Sequence, residues 1–288
     1  SNSFHMMVAR ANGSELQVID RLREPVRLAA GLDADKRLHP EAQARALACL
    51  QRFGQRLRGL PQQQVRVVGT NTMRRMRRSE DFLAAAEMAL GHEIEIIAGA
   101  EEARLVYGGV THGMGRGRPR RLVVDIGGRS TEMILGQHES AHTLESYRLG
   151  SVAWSMKFFP DGVWSAAAFK AAEIAAKAVL DESQSLFNAS HWDTCYGASG
   201  TVGSVGDVLA AAGWPEGKIT RDGLAWLKDR LLKAQKLENL RIDGVKEDRK
   251  PVLGGGLAVL QAVFDLLQIH EMKAAQGALR HGALYDLI

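Results

Sequence analysis

From Pro40 to about Leu57, apolar residues return every three or four positions at Ala46, Leu47, Leu50, Phe53 and Leu57, which predicts an amphipathic helix opened by its proline. Short β-branched runs alternate with further stretches of this kind. Val65 to Gly69 reads as a strand, Ser79 as the cap of a helix running to Leu90, and Ile94 to Ala98 as the next strand, followed by a helix through Glu101, Glu102 and Val106. Strands are then expected near Leu122 to Ile126, Glu132 to Leu135 and Thr143 to Tyr147. A long alanine-rich helix from about Ser165 to Phe187, a strand at Thr194 to Tyr196 and three or four more helices complete the chain. The alternation predicts an α/β protein.

A chain of 288 residues exceeds one ordinary core, so two domains are expected. The stretch His112 to Pro119 is basic, rich in glycine and without apolar period, and the boundary is placed there, giving domains 1–115 and 116–288. With 45% hydrophobic and 24% charged residues the composition is that of a globular protein and excludes a disordered or collagen-like chain. No apolar run approaches the ~18 residues of a membrane span. The N-terminus lacks the basic and apolar regions of a signal peptide, so the cytoplasm is the expected compartment. Cys49 and Cys195 have no metal or redox spacing and read as buried thiols. The net charge of +4 is unevenly spread: Arg74, Arg75, Arg77 and Arg78 form one basic cluster, and Arg116, Arg118, Arg120 and Arg121 another. Such clusters suit a polyanion, although charge runs are also common on plain solvated surfaces.

Two segments match across the halves. Ser1 to Val8 lines up with Gly128 to Leu135, each a small polar turn running into an apolar strand, as expected of two related lobes gripping one ligand. Around the second copy, Leu122 to Ile134 is an apolar strand, an aspartate, a glycine turn, a hydroxyl pair and a glutamate. The glycines allow backbone N–H groups to converge on an anion, Ser130 and Thr131 can donate to phosphate oxygens, and Asp125 and Glu132 offer hard ligands to Mg²⁺. Tyr196 to Ser204 repeats the logic as a strand, a small turn and a helix N-terminus, with Ser199, Gly200 and Thr201 at the anion position. There is no Walker-type phosphate loop.

Five segments taken in order, Gly69 to Arg74, Glu93 to Arg104, Asp125 to Glu132, Gly197 to Thr201 and Gly277 to Leu284, resemble the exopolyphosphatase and guanosine pentaphosphate phosphohydrolase (Ppx/GppA) family across nearly the whole chain. The resemblance implies two actin-like, ribonuclease H-like domains with mixed sheets flanked by helices and an active site in the cleft between them. It implies Mg²⁺, with Mn²⁺ as a substitute, and release of orthophosphate. By position the catalytic glutamate falls on Glu102, where it would orient or deprotonate water. Arg74 falls on an arginine expected to touch phosphate. Ser1, Asn2, Ser3, Gly127, Gly128 and Arg129 fall in the two matching phosphate turns.

The chain departs from the family pattern in three places. The family's first loop reads Asp-x-Gly-Ser-Asn-Ser, whereas this chain begins at Ser1-Asn2-Ser3, so the first strand and its aspartate are expected upstream of it. Arg129 replaces a glycine of the usual Gly-Gly-Gly-Ser turn and can contact phosphate, obstruct the cleft or point to solvent. The chain ends after the second domain, where long members continue into a further helical region, leaving a short form and a trimmed fragment both open. His138 and His142 flank a strand turn, Gly254 to Gly256 fit a nucleotide-side turn and tight helix packing about equally, and His270 with Glu271 lacks a second histidine for zinc. The expected activity is exopolyphosphatase, with guanosine pentaphosphate hydrolysis as the alternative and a catalytically weak phosphate or nucleotide sensor as a second. The partner is thus polyphosphate or guanosine pentaphosphate; no nucleic acid is expected, and a homodimer is left open.

Overall fold

The computed structural model describes residues 3–13, 15–112, 114 and 119–288. Strands β1 (Phe4–Asn12) and β2 (Glu15–Glu24) form an antiparallel hairpin. Helix α1 (Pro40–Leu57) buries Ala46, Cys49, Leu50, Phe53 and Leu57, the face its apolar period marks out. There follow β3 (Val68–Gly69), α2 (Asn71–Arg75), α3 (Ser79–Leu90) and β4 (Glu95–Ile96), with β3 and β4 parallel. Phe53, Phe82, Leu90 and Met6 close one core among these elements. The two predicted strands are thus shorter than their apolar runs. A 3₁₀ turn at Gln62–Gln64 delays the first, and the helix beginning at Gly99 cuts off the second. Ser79 is the first helical residue, not the cap; Arg78 before it is left-handed at φ 56° and makes no side-chain cap bond.

Helix α4 (Gly99–Thr111) leads to the larger lobe. The glycine-rich stretch expected as the domain boundary falls, at residues 113 and 115–118, outside the described residues. Beyond it β5 (Arg120–Ile126), β6 (Thr131–Gln137) and β7 (Ser140–Tyr147) form an antiparallel meander. Helices α5 (Ser151–Phe158) and α6 (Ala166–Leu180) follow, and Ser165 caps the latter by accepting from Ala168 N. The long predicted helix stops at Leu180, where the Ser183 hydroxyl donates to the Leu180 carbonyl and competes with the helical ladder, leaving a short α7 (Ser183–Leu186). Then come β8 (Thr194–Ala198), α8 (Ser199–Ala211), β9 (Lys218–Thr220), α9 (Arg221–Ala234), α10 (Leu253–Leu266), β10 (Glu271–Ala274) and α11 (Leu279–Tyr285). The mixed sheet has the order β7-β6-β5-β8-β10-β9, with β5, β8 and β10 parallel. Strands β2, β9 and β10 are additions to the sequence reading, the last two too short to show a period.

Alternation along β5 assigns its side chains to two cores. Leu122, Val124 and Ile126 join the large cluster with α6, α8, α9 and α10, while Val123 faces Ala103, Val106, Tyr107 and Val110 of α4. Helix α4 is held there by α11 through glycines: a Cβ on Gly282 would lie 1.8 Å from the Leu105 carbonyl oxygen, and one on Gly277 1.6 Å from that of Gly109. The internal repeat is structural as well. Strands β1 and β6 begin at aligned positions, Phe4 and Thr131, and their registers break at aligned positions too, between Val8 and Ala9 and between Leu135 and Gly136. Among the described residues no helix is long and apolar enough to cross a membrane.

Candidate active site

Asp125 on β5 and Glu132 on β6 are direct cross-strand partners. The period of two puts both on the face that carries Val123 and Ile134, beneath α4, whose first turn supplies Glu102. Three carboxylates therefore gather at one end of this layer, with relative exposures of 8%, 1% and 8% for Asp125, Glu132 and Glu102. Burial raises Asp125 to about 7, with a further push from the Glu102 charge. It also holds Glu132 well above the ordinary carboxylate value, helped by Glu102 and Asp125. Glu102 is raised by burial and pulled back in part by Arg74. Ser146 donates to Glu132 Oε1 at 2.8 Å, and Ser199 hydrogen-bonds Asp125. Like charges directly opposite in a sheet repel, so the arrangement calls for a proton or a cation.

Arg74 does not lie open in the cleft. Its Nη2 donates to Glu102 Oε2 at 3.0 Å and its Nη1 to the Ile97 carbonyl, so it holds the glutamate in place. The rest of its cluster divides: Arg75 is half-buried, and Arg77 and Arg78 are exposed and away from the cleft lining. In the second cluster Arg116 and Arg118 lie outside the described residues. Arg120 pairs with Asp193 at 2.8 Å and Arg121 is buried, donating to the His138 carbonyl, so these two are structural and do not form a polyanion patch.

The turn after β5 is fixed from behind. Gly127 N donates to Ser130 O, and the first amides of α5 are taken by the loop, Ser151 N by Gly127 O and both Val152 N and Ala153 N by Gly128 O. Gly150 lets that helix approach, since a Cβ there would stand 2.6 Å from Arg129 N and from Gly127 O. Gly127, Gly128, Arg129 and Ser130 border a cavity of about 920 Å³ that also reaches Glu102, Asp125 and Glu132. Thr131 does not: it is fully buried, and its hydroxyl donates to the Leu149 carbonyl at 3.0 Å. On the other turn Ser199 is left-handed at φ 75°, a strained backbone for a residue with a Cβ, and donates to Ile126 O at 2.7 Å. Gly200 and Thr201 follow it at the start of α8 and line the cavity. Ser3 lines it from the smaller lobe, its buried hydroxyl without a partner among the described residues, which exclude Ser1 and Asn2.

Of the courses open to it by sequence, Arg129 takes the one that enters the cleft. It crosses the cleft and donates through Nη2 to the carbonyl of Ala29 in the smaller lobe. The sequence reading also missed a group of cations on the cleft wall, namely Arg23, Lys246, Arg249 and Arg280. His5 lies among them, exposed to the cleft; desolvation there first, then Arg280, Arg23 and Arg249, press its pKa down to about 4, so it is neutral. Arg23 pairs with Asp248, and Arg249 lies over Gly200, where a Cβ would stand 2.2 Å from its guanidinium. Arg280 was within reach of sequence reading, since it sits in the Gly277 to Leu284 segment. Arg249 was not, because the run 246–250 reads as a solvated loop.

Among the described residues no group of three or more histidine, cysteine, aspartate or glutamate side chains forms a ready metal shell, and His138 with His142 is no exception. Asp125 and Glu132 nevertheless fit Mg²⁺, which takes one or two carboxylates and fills the remaining positions with water and phosphate oxygens. Gly254 to Gly256 serve packing: Cβ atoms there would strike Trp164, Ser155 and Thr201.

Comparison with known proteins supports the same grouping. An exopolyphosphatase structure from Cytophaga hutchinsonii superposes with a TM-score of 0.88 at 20% identity, covering 99% of this chain and 94% of that one. An exopolyphosphatase-like protein of known structure superposes at 0.87 with 24% identity, covering 99% and 94%. At these identities the likeness is one of fold. Among curated sequences, a guanosine-5'-triphosphate,3'-diphosphate pyrophosphatase of Aeromonas hydrophila subsp. hydrophila is 42% identical over all 288 residues, and one of Vibrio vulnificus is 43% identical over the same length. The chain spans 58% of the length of these relatives. With the Ppx/GppA phosphatase family matched over residues 7–288 and relatives this similar along the whole chain, the protein belongs to that family.

Proposed function

We propose that this chain hydrolyses the terminal phosphate from the 5' end of guanosine pentaphosphate. The observation that carries the chemistry is the buried cross-strand pair Asp125 and Glu132 facing Glu102, in a cleft whose other wall bears Arg23, Arg249 and Arg280. Glu102, raised by burial and oriented by Arg74, is the base that positions water and takes its proton. Asp125 and Glu132 would hold Mg²⁺ or Mn²⁺, which when bound supplies charge stabilisation to phosphate oxygens. The amide-rich turns at Gly127–Ser130 and Ser199–Thr201 receive the phosphoryl oxygens, and the arginine wall suits a ligand with phosphates at both ends of a nucleoside. The substrate is inferred from the name borne by relatives above 40% identity, which moves polyphosphate, the first expectation from sequence, to second place.

Orthophosphate release from guanosine pentaphosphate and from polyphosphate, with and without Mg²⁺, tests the reading. A metal-dependent kcat/KM at least about tenfold higher for the nucleotide is expected. Release from polyphosphate alone would restore the first expectation, and tight binding without release would leave a sensor.

A further inference from the structure

The phosphate turn of the larger lobe carries a cation, Arg129, with no acidic partner among the described residues. Among those residues its one hydrogen bond goes from Nη2 to the neutral Ala29 carbonyl, and its Nε is buried without a partner. Burial, and then the like charge of Arg75, depress its pKa. The side chain borders the same cavity as Gly127, Gly128 and Ser130. An arginine desolvated in a polyanion cleft and paired only with a neutral acceptor is poorly served, since a hydrogen bond from guanidinium to an anionic oxygen is roughly twice as strong as one to a neutral carbonyl.

Only the side chain can move. The backbone of the turn is pinned by the amides of Ser151, Val152 and Ala153 and by the close approach of Gly150. Arg129 itself is not in the left-handed region. A long flexible side chain on a rigid turn can exchange acceptors without altering the loop that carries it.

We propose that Arg129 is an exchangeable latch and a specificity-determining residue: it bridges the lobes through the Ala29 carbonyl, and leaves that carbonyl for a phosphate oxygen when a di- or triphosphate group enters. The new contact favours a ligand with a phosphate beyond the one being cleaved, so Arg129 governs affinity and leaves the attack itself to Glu102. This inference rests on the phosphohydrolase reading.

Inorganic tripolyphosphate is the probe, titrated calorimetrically into the wild-type chain, R129Q and R129K, alongside steady-state kinetics with guanosine pentaphosphate. R129Q is expected to weaken tripolyphosphate binding and raise KM by about tenfold or more, with kcat within about threefold, and R129K to recover part of the loss. In the wild-type protein the Arg129 Nε–Hε NMR resonance, assigned by its absence from R129K, is expected to shift on adding tripolyphosphate; this holds even if R129Q folds poorly. An unmoved resonance, unchanged affinity in R129Q, or tighter binding in R129Q would each overturn the proposal. Wild-type protein that neither binds tripolyphosphate nor releases phosphate would instead overturn the functional reading on which it rests.

Discussion

Arg74 Nη2 stands 3.0 Å from Glu102 Oε2, so the arginine reaches the site through the glutamate it orients. Replacing Glu102 by Gln should lower kcat at least about a hundredfold while leaving substrate affinity nearly intact. Arg74→Gln should lower kcat about tenfold. Because the two act as a unit, the double variant should be scarcely slower than Glu102→Gln alone. Fully additive losses in a double-mutant cycle would mean that Arg74 touches phosphate independently.

Asp125 faces Glu132 across the β5–β6 ladder. A neutral amide is a poorer ligand for a hard cation than a carboxylate, so Asp125→Asn should raise the Mg²⁺ concentration for half-maximal activity by roughly tenfold or more. An activity titration against Mg²⁺ checks this, and an unchanged midpoint would remove Asp125 from the metal shell.

The same carboxyl sets a pH dependence of stability. Its pKa is raised on folding from 3.8 to about 7, so its contribution is fully present below 3.8 and is lost as pH rises through about 7. Glu132 is shifted in the same direction. Metal-free protein should therefore show a urea midpoint that falls between about pH 5 and pH 8. Asp125→Asn should flatten that slope, and saturating Mg²⁺ should restore the midpoint at the alkaline end. A midpoint rising over this range in the absence of metal would contradict the assignment.

Gly282 lies where α11 crosses α4, and a Cβ there would come within 1.8 Å of the Leu105 carbonyl oxygen. Neither backbone can yield without moving Glu102, three residues before Leu105 in the same helix. Gly282→Ala should destabilise the protein by about 3 kcal/mol and reduce activity out of proportion to the fraction unfolded. Urea unfolding and activity measured on the same preparation test both parts.

Arg77 and Arg78 are exposed and away from the cleft lining. Changing both to Gln should leave KM for guanosine pentaphosphate within about twofold, the expectation for surface charges screened at ordinary salt. A large, salt-sensitive rise in KM would instead mark an extended track for a longer anion.

Local order was legible wherever a period or a turn residue controls it. The apolar spacing of α1, the runs of β5 and β6 and the glycine turns between strand and helix all follow from propensity and pattern. The hairpin by itself put Asp125 opposite Glu132, because a tight turn fixes register and a period of two fixes the face. The repeat in the two halves was visible as matching turns running into strands, while the matching register breaks emerged only in the structure. Distance along the chain hid the rest. No local rule brings Glu102 over that hairpin; the packing of α4 between the sheet and α11 does so, through close contacts at Gly109, Gly277 and Gly282. Likewise Arg23 and Arg249 each read alone as an ordinary surface charge, and only the cleft gathers them with Arg280 around a neutral His5. Arg129 is the clearest case, since its sequence position marks a phosphate turn while its acceptor, the Ala29 carbonyl, is a hundred residues away and is supplied only when the lobes meet.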